Sequence, residues 1–134
     1  MTENDLKKRT KQFALRVIQL MRALPSSPDA NVIGKQLLRS GTSVGANYRS
    51  ANRAKSTADF IAKMAIVEEE ADESSYWMEL LVESGIFSQS RLKNLITEAD
   101  ELVAISVASI KTAKKRNNIE VKFLGNIKNK NKNS

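Results

Sequence analysis

The side chains best suited to chemistry in this sequence are seven carboxylates within residues 68–83. They are Glu68, Glu69, Glu70, Asp72, Glu73, Glu79 and Glu83. Inward-facing carboxylates of a helical bundle can hold metal ions, and a carboxyl group with a raised pKa can act as a general acid or base. Metal sites of this type also use histidine, and the chain contains no histidine and no cysteine. We therefore interpret the run as an acidic helix surface and expect no metal and no cofactor.

Other catalytic arrangements are not indicated either. Ser40 and Ser43 have no recognisable base to activate a hydroxyl nucleophile. Gly41 and Gly45 lie within a helical pattern instead of following a strand, so they do not form a phosphate-binding loop. The remaining enzyme hypothesis is carboxylate chemistry at Glu68, which lies next to a core position. We expect no catalytic residue and predict that the protein is not an enzyme.

Charge is distributed unevenly along the 134 residues, whose net charge is +7. Residues 1–55 carry 11 Lys and Arg against 3 Asp and Glu, residues 56–113 carry 4 against 11, and residues 114–134 carry 7 against 1. Basic helices can bind the phosphates of RNA or DNA. Opposed charges of this kind can also guide assembly of the subunits of an oligomer. The charge pattern leaves both interpretations open.

Seven basic residues are the candidate nucleic-acid contacts. They are Arg39, Arg49, Arg53, Lys55, Lys114, Lys115 and Arg116. The first four lie in or beside the segment that contains Gly41 and Gly45. Ion pairs between subunits would explain these charges as well as phosphate contacts would. The last three begin a basic C-terminal segment, which is typical either of a non-specific nucleic-acid arm or of a solubilising tail. Because Phe123 is the only aromatic residue of that segment, we do not expect sequence-specific binding of single strands.

Four amphipathic segments with short connections carry these residues. Apolar residues recur at steps of three and four in residues 5–24, in residues 31–55, and in two further segments that meet near Gly85. Ser56 begins a capping motif, which marks either a corner or a bend within one longer helix. Gly85 is a natural helix C-cap, after which Phe87 can fold back onto the bundle. This pattern predicts an all-α protein, an antiparallel up-down-up-down four-helix bundle over residues 1–116.

The remaining residues, 117–134, are rich in Asn and Lys, and we expect them to form a disordered basic tail. No run approaches the roughly 18 apolar residues of a membrane-spanning helix. The charged N-terminus has no signal-peptide core. We therefore expect a cytoplasmic protein without a membrane partner.

The second helix contains residues that make poor helices. Gly41 and Gly45 each destabilise a helix interior by roughly 1 kcal/mol relative to alanine. Gly41 nevertheless belongs to an apolar stripe with Leu37, Val44 and Tyr48. Because glycine lets two backbones approach, this stripe predicts unusually close packing on a neighbouring helix.

Two motifs in this part of the chain resemble a known family. They are Arg39-Ser40-Gly41-Thr42-Ser43-Val44-Gly45-Ala46-Asn47-Tyr48-Arg49 and Lys55-Ser56-Thr57-Ala58-Asp59-Phe60. With supporting segments at 66–73 and 76–81, residues 10–115 resemble the small bacterial four-helix-bundle proteins associated with intervening sequences in large-subunit ribosomal RNA genes. That family is similar in fold to the accessory bundle protein of diversity-generating retroelements, which binds nucleic acid and a reverse transcriptase. Ser50 and Ala51 stand where many members carry Glu-Gly.

The resemblance implies a homopentamer, a nucleic-acid partner and a protein partner, but no settled activity. Together with the charge pattern, it predicts a non-enzymatic oligomeric bundle that binds structured RNA or DNA through phosphates, without sequence specificity, and serves as a scaffold. The alternative is a protein–protein assembly module with no nucleic-acid activity.

Overall fold

The chain forms four α-helices in a computed structural model that describes residues 1–132, with side chains described up to residue 129. The helices are α1 (Glu3–Ala23), α2 (Pro28–Asn52), α3 (Thr57–Glu83) and α4 (Gln89–Lys132). The described residues contain no β-strand. α1 packs on α2, α2 on α3 and α3 on α4, whereas α1 and α4 meet only lightly. The predicted all-α four-helix bundle is confirmed.

The first three helices begin at hydroxyl side chains, because these can accept a hydrogen bond from a backbone N–H that has no partner within the helix. Thr2 caps α1, Ser27 caps α2 and Ser56 caps α3. α2 ends at Asn52 and α3 begins at Thr57. Ser56 therefore marks a corner between two helices, and the alternative of one longer bent helix is wrong.

The turn after α3 depends on a glycine. Gly85 has φ of +77°, a left-handed conformation that glycine adopts without strain from a Cβ atom. The turn directs Phe87 back toward α3, where its backbone N–H donates to the carbonyl of Leu81 at 3.0 Å. The Phe87 side chain is buried. The predicted cap and the predicted return of Phe87 are both confirmed.

The core follows the apolar stripes of the sequence. Met64, Val67, Ala71, Met78 and Leu81 of α3 are all buried. They pack with residues of the other three helices, including Phe13, Leu37, Val44, Leu92 and Leu102. Removal of this apolar surface from water is the main force that holds the four helices together.

Packing of α4 on the bundle ends at Ala113, and residues 114–129 are all exposed. The backbone stays helical through Lys132, whereas the sequence predicted disorder from residue 117. The difference has a physical reason: an existing helix elongates without the unfavourable nucleation step. Because packing does not hold this extension in place, its disorder in solution stays a prediction, and residues 133 and 134 of that prediction lie outside the described residues.

Candidate nucleic-acid interface

The candidate interface lies where α1 crosses the glycines of α2. A Cβ atom at Gly41 would lie 2.8 Å from Cγ2 of Val17, closer than real Cβ contacts come. At Gly45 the added atom would lie 3.3 Å from Oγ1 of Thr10. The predicted close approach of α2 to a neighbouring helix is therefore confirmed, and the neighbour is α1.

An open groove of about 410 Å³ follows this contact, and we name it the α1–α2 groove. Its basic lining residues are Lys7, Lys8, Lys11 and Arg49. Small side chains at Ala14 and Ala46 line it as well. Among the described residues that line the groove, none is acidic and none is aromatic.

Little negative charge opposes these four cations. Lys7 lies 3.8 Å from the carboxylate of Glu3, in a pair whose two side chains are both well exposed. Water screens such a pair, which contributes little. Within the described part of the chain, Lys8, Lys11 and Arg49 make no salt bridge. The groove therefore has a positive surface that could accept anionic groups.

Of the residues predicted from sequence, Arg49 lies in this groove. Arg53 follows it one helical turn later, as the exposed C-cap of α2. Lys7, Lys8 and Lys11 belong to the basic half of the chain, whose cations could form a patch for phosphates, but they are not among the seven predicted contacts. Their spacing of one and three residues could have predicted a shared basic surface on α1. Their position beside Arg49 depends on how α1 packs against α2.

Arg39 lies on a different face of α2, against α3. Its Nη1 donates to Oε2 of Glu70 at 3.1 Å, and its Nη2 donates to Glu73. The hydrogen bond from Arg39 holds the pKa of the Glu73 carboxyl below its usual value. Nε1 of Trp77 donates to the same carboxylate at 3.2 Å. Arg39 thus joins α2 to α3 through an ion-pair network within one chain.

Lys55 and Arg116 come together at one end of the bundle. They line a second open groove, of about 510 Å³, between the start of α3 and α4. Glu3 and Glu120 line it too, so its charge is mixed. The other two predicted contacts, Lys114 and Lys115, are exposed on α4 and line neither groove.

The acidic run lies mainly on the outer surface of α3. We use the name outer α3 face for the surface that is formed by the exposed residues Ile66, Glu69, Asp72, Tyr76, Glu79 and Glu83. Among the described residues, no group of three or more potential metal ligands is placed to hold an ion. In the same part of the chain, no helix has the length and apolarity to cross a membrane.

Comparison with known proteins identifies the family of this chain. Residues 2–108 match the family described as 23S rRNA-intervening sequence protein. The chain belongs to this family. The predicted family resemblance is therefore confirmed, and the match contains the α1–α2 groove but not the extension of α4 beyond Ala113.

The fold also matches a solved structure. That structure is a protein of unknown function from the S23 ribosomal protein family of Bacteroides thetaiotaomicron VPI-5482. The two chains are 37% identical with a TM-score of 0.77, and the match covers 83% of this chain and 99% of the other. No curated protein matches this sequence significantly.

Proposed function

We propose that this family member is a non-enzymatic, homo-oligomeric bundle that binds structured RNA or DNA through phosphate contacts at the α1–α2 groove. The observation that carries the proposal is a groove lined by four cations and by no acidic side chain among its described residues. A protein that neutralises phosphates releases counterions from the nucleic acid, which makes binding favourable at low salt.

The types of side chain fit backbone contacts better than recognition of bases. Arg49 presents a planar guanidinium that can contact a phosphate through two hydrogen bonds. Lys8 and Lys11 supply compact charges on flexible stems, which adapt to the spacing of phosphates. The described lining has no aromatic side chain on which an unpaired base could stack. We therefore propose binding with little sequence specificity.

The basic surface extends beyond this groove. Arg53 follows Arg49 on α2, and Lys55 with Arg116 lies at the adjoining end of the bundle. A duplex that crosses the groove would find further cations in that direction. The family description refers to an intervening sequence of 23S rRNA, which makes a structured RNA the first ligand to test.

The second candidate function is a protein assembly module without nucleic-acid activity. The outer α3 face favours it, because Ile66 and Tyr76 are exposed there among carboxylates that form no salt bridge with the described side chains. Exposed apolar residues grouped in this way often mark contacts with another protein. The family resemblance suggests that the assembly is a homopentamer.

The experiment that tests the proposal measures the affinity of the full chain for a structured RNA and for a duplex DNA at several salt concentrations. The variant carries Lys8→Glu and Arg49→Glu in the groove. The control carries Lys35→Glu and Lys93→Glu, which change the net charge equally at exposed positions that line neither groove.

We expect the groove variant to bind at least about tenfold more weakly than the control, with a duplex salt slope that is flatter by about 0.9 for each lost phosphate contact. Equal affinities of the two variants would contradict the assignment of the groove. If the unmodified chain binds neither ligand, the assembly module is the better description.

A further inference from the structure

Beyond the bundle, α4 carries an apolar stripe that is exposed to water. Ile119, Phe123 and Ile127 follow one another at steps of four on one face of the helix, and Leu124 widens that face. Their exposed fractions are 58%, 63%, 39% and 57%, respectively. Four large apolar residues on one side of an exposed helical segment are typical of a helix that packs against a partner.

An apolar groove on the bundle lies on nearly the same side of α4 as this stripe. The groove, of about 370 Å³, lies between α3 and α4 and is lined by Phe60 and Ile105 together with Ala113. Ile105 and Ile119 lie fourteen residues apart, close to four full helical turns, so they face nearly the same side of α4. Polar and charged residues, Ser109, Thr112 and Arg116, also line the groove, so the groove and the stripe share a side of α4 without forming one continuous apolar surface.

The charge of the extension limits what can cover it. Lys114, Lys115, Arg116, Lys122 and Lys128 are all exposed, against one acidic residue, Glu120. A matching surface needs apolar groups with carboxylates beside them. The outer α3 face has this composition, because Ile66 and Tyr76 are exposed among Glu69, Asp72, Glu79 and Glu83.

The extension does not reach this face in its own chain. It continues α4 beyond Ala113, where packing on the bundle ends, and its residues 114–129 are all exposed. A second copy can supply the face. The lengths of the two helical segments also agree. At 1.5 Å per residue, residues 114–132 extend over about 29 Å and residues 66–83 over about 27 Å.

We propose that the helical extension of α4 in one copy docks along the outer α3 face of a second copy. The apolar stripe around Phe123 lies against Ile66 and Tyr76, and lysines at the edges of the stripe meet the carboxylates of α3. The contact joins two different surfaces, so it is heterologous and can close into a ring. It also explains how an extension of low helix propensity gains stability, because docking buries its apolar side. This inference does not depend on nucleic-acid binding at the α1–α2 groove.

Photo-cross-linking of the full chain tests the inference. Phe123 is replaced by a benzophenone amino acid, and the protein is mixed with an equal amount of isotope-labelled protein, so that mass spectrometry separates links between copies from links within one. Val121 points away from the stripe and is 61% exposed, so the same replacement at Val121 is the matched control.

We expect position 123 to link to peptides of α3 in the other copy, with position 121 giving several-fold less of this product. The link should be lost when the labelled copy carries Glu79→Lys and Glu83→Lys. All four substituted side chains are exposed, so these replacements should leave the fold of the bundle intact. Links confined to one chain, links to α1 or α2 of the second copy, or equal yields from the two positions would each overturn the proposal.

Discussion

Val17 of α1 packs directly on Gly41 of α2, in a contact with no room for a Cβ atom. The missing atom would lie 2.8 Å from Cγ2 and 3.0 Å from Cγ1 of Val17. Both residues are buried, so the contact belongs to the core. This approach determines how close α1 lies to α2, and it thereby shapes the groove beside Gly45.

Replacing Gly41 by alanine should destabilise the protein despite the better helix propensity of alanine. Overpacking a core costs about 1–3 kcal/mol, and the propensity gain of about 1 kcal/mol offsets only part of it. We expect a net loss of about 1 kcal/mol in the free energy of unfolding, measured by urea denaturation with the fluorescence of Trp77.

The matched control is Gly45→Ala, where the added atom meets Thr10 at 3.3 Å instead of 2.8 Å. This variant should be less destabilised than Gly41→Ala. If Gly41→Ala is as stable as the unmodified protein, the close contact with Val17 does not limit the packing of α1.

The buried hydroxyls of Ser40 and Ser74 should show coupled effects on stability. They lie 2.9 Å apart between α2 and α3, and Ser74 also bonds to the carbonyl of Glu70. Each single alanine variant should lose about 1 kcal/mol, and the double variant should lose less than the sum, because either single substitution already removes the hydrogen bond that the two hydroxyls share. Chemical denaturation of all four proteins measures this coupling. As a control, Ser106→Ala combined with Ser74→Ala should be additive, since Ser106 bonds only to its own helix.

The ion pairs of Arg9 should stabilise the limited packing of α1 against α4. Its Nη2 donates to Glu101 at 2.7 Å, and its guanidinium also contacts Glu98, whose side chain is only 17% exposed. Arg9→Leu should lower the free energy of unfolding by about 1 kcal/mol, because it leaves the carboxylate of Glu98 without a partner. Hydrogen exchange should quicken in the first half of α1 more than in α3.

A second substitution tests the origin of that loss. Adding Glu98→Leu to Arg9→Leu should recover much of the stability, because both charged partners are then absent. Lys7→Leu, which removes only a screened pair, should change stability by no more than a few tenths of a kcal/mol. Equal losses in Arg9→Leu and Lys7→Leu would contradict a structural role for Arg9.

The ion pair of Arg39 with Glu73 should make stability depend on pH in the acidic range. The hydrogen bond lowers the pKa of the folded Glu73 carboxyl, so its contribution is present above the pKa of an unfolded glutamate and disappears as pH falls through the lower folded value. Both side chains are partly exposed, which limits this contribution to about 1 kcal/mol or less. Arg39→Gln should therefore be less stable than the unmodified protein at pH 7, and the difference should shrink as the pH falls through the lowered pKa of the folded Glu73 carboxyl. Urea denaturation at several pH values measures it, and a difference that is constant with pH would contradict the prediction.

The four helices, the glycine cap at Gly85 and most of the core could be predicted from the order of residues alone. These features follow from local chemistry. A helix buries every third or fourth residue, a hydroxyl caps its start, and glycine adopts the left-handed turn at its end. The core positions of α3 could be predicted from the sequence because Met64, Val67, Ala71, Met78 and Leu81 recur at steps of three, four or seven residues.

Which charged side chains contact one another could not be predicted in the same way, because it depends on how the helices pack. Arg39 and Arg49 both belong to the same glycine-containing motif, yet one pairs with carboxylates of α3 and the other lies in a groove with the lysines of α1. Ten residues of helix rotate a side chain by about 1,000°, so these two arginines point about 80° apart around α2. The side chains that each arginine contacts depend on how α1 and α3 pack against α2. The spacing of residues within α2 does not predict this packing, because it involves segments that are distant in the sequence.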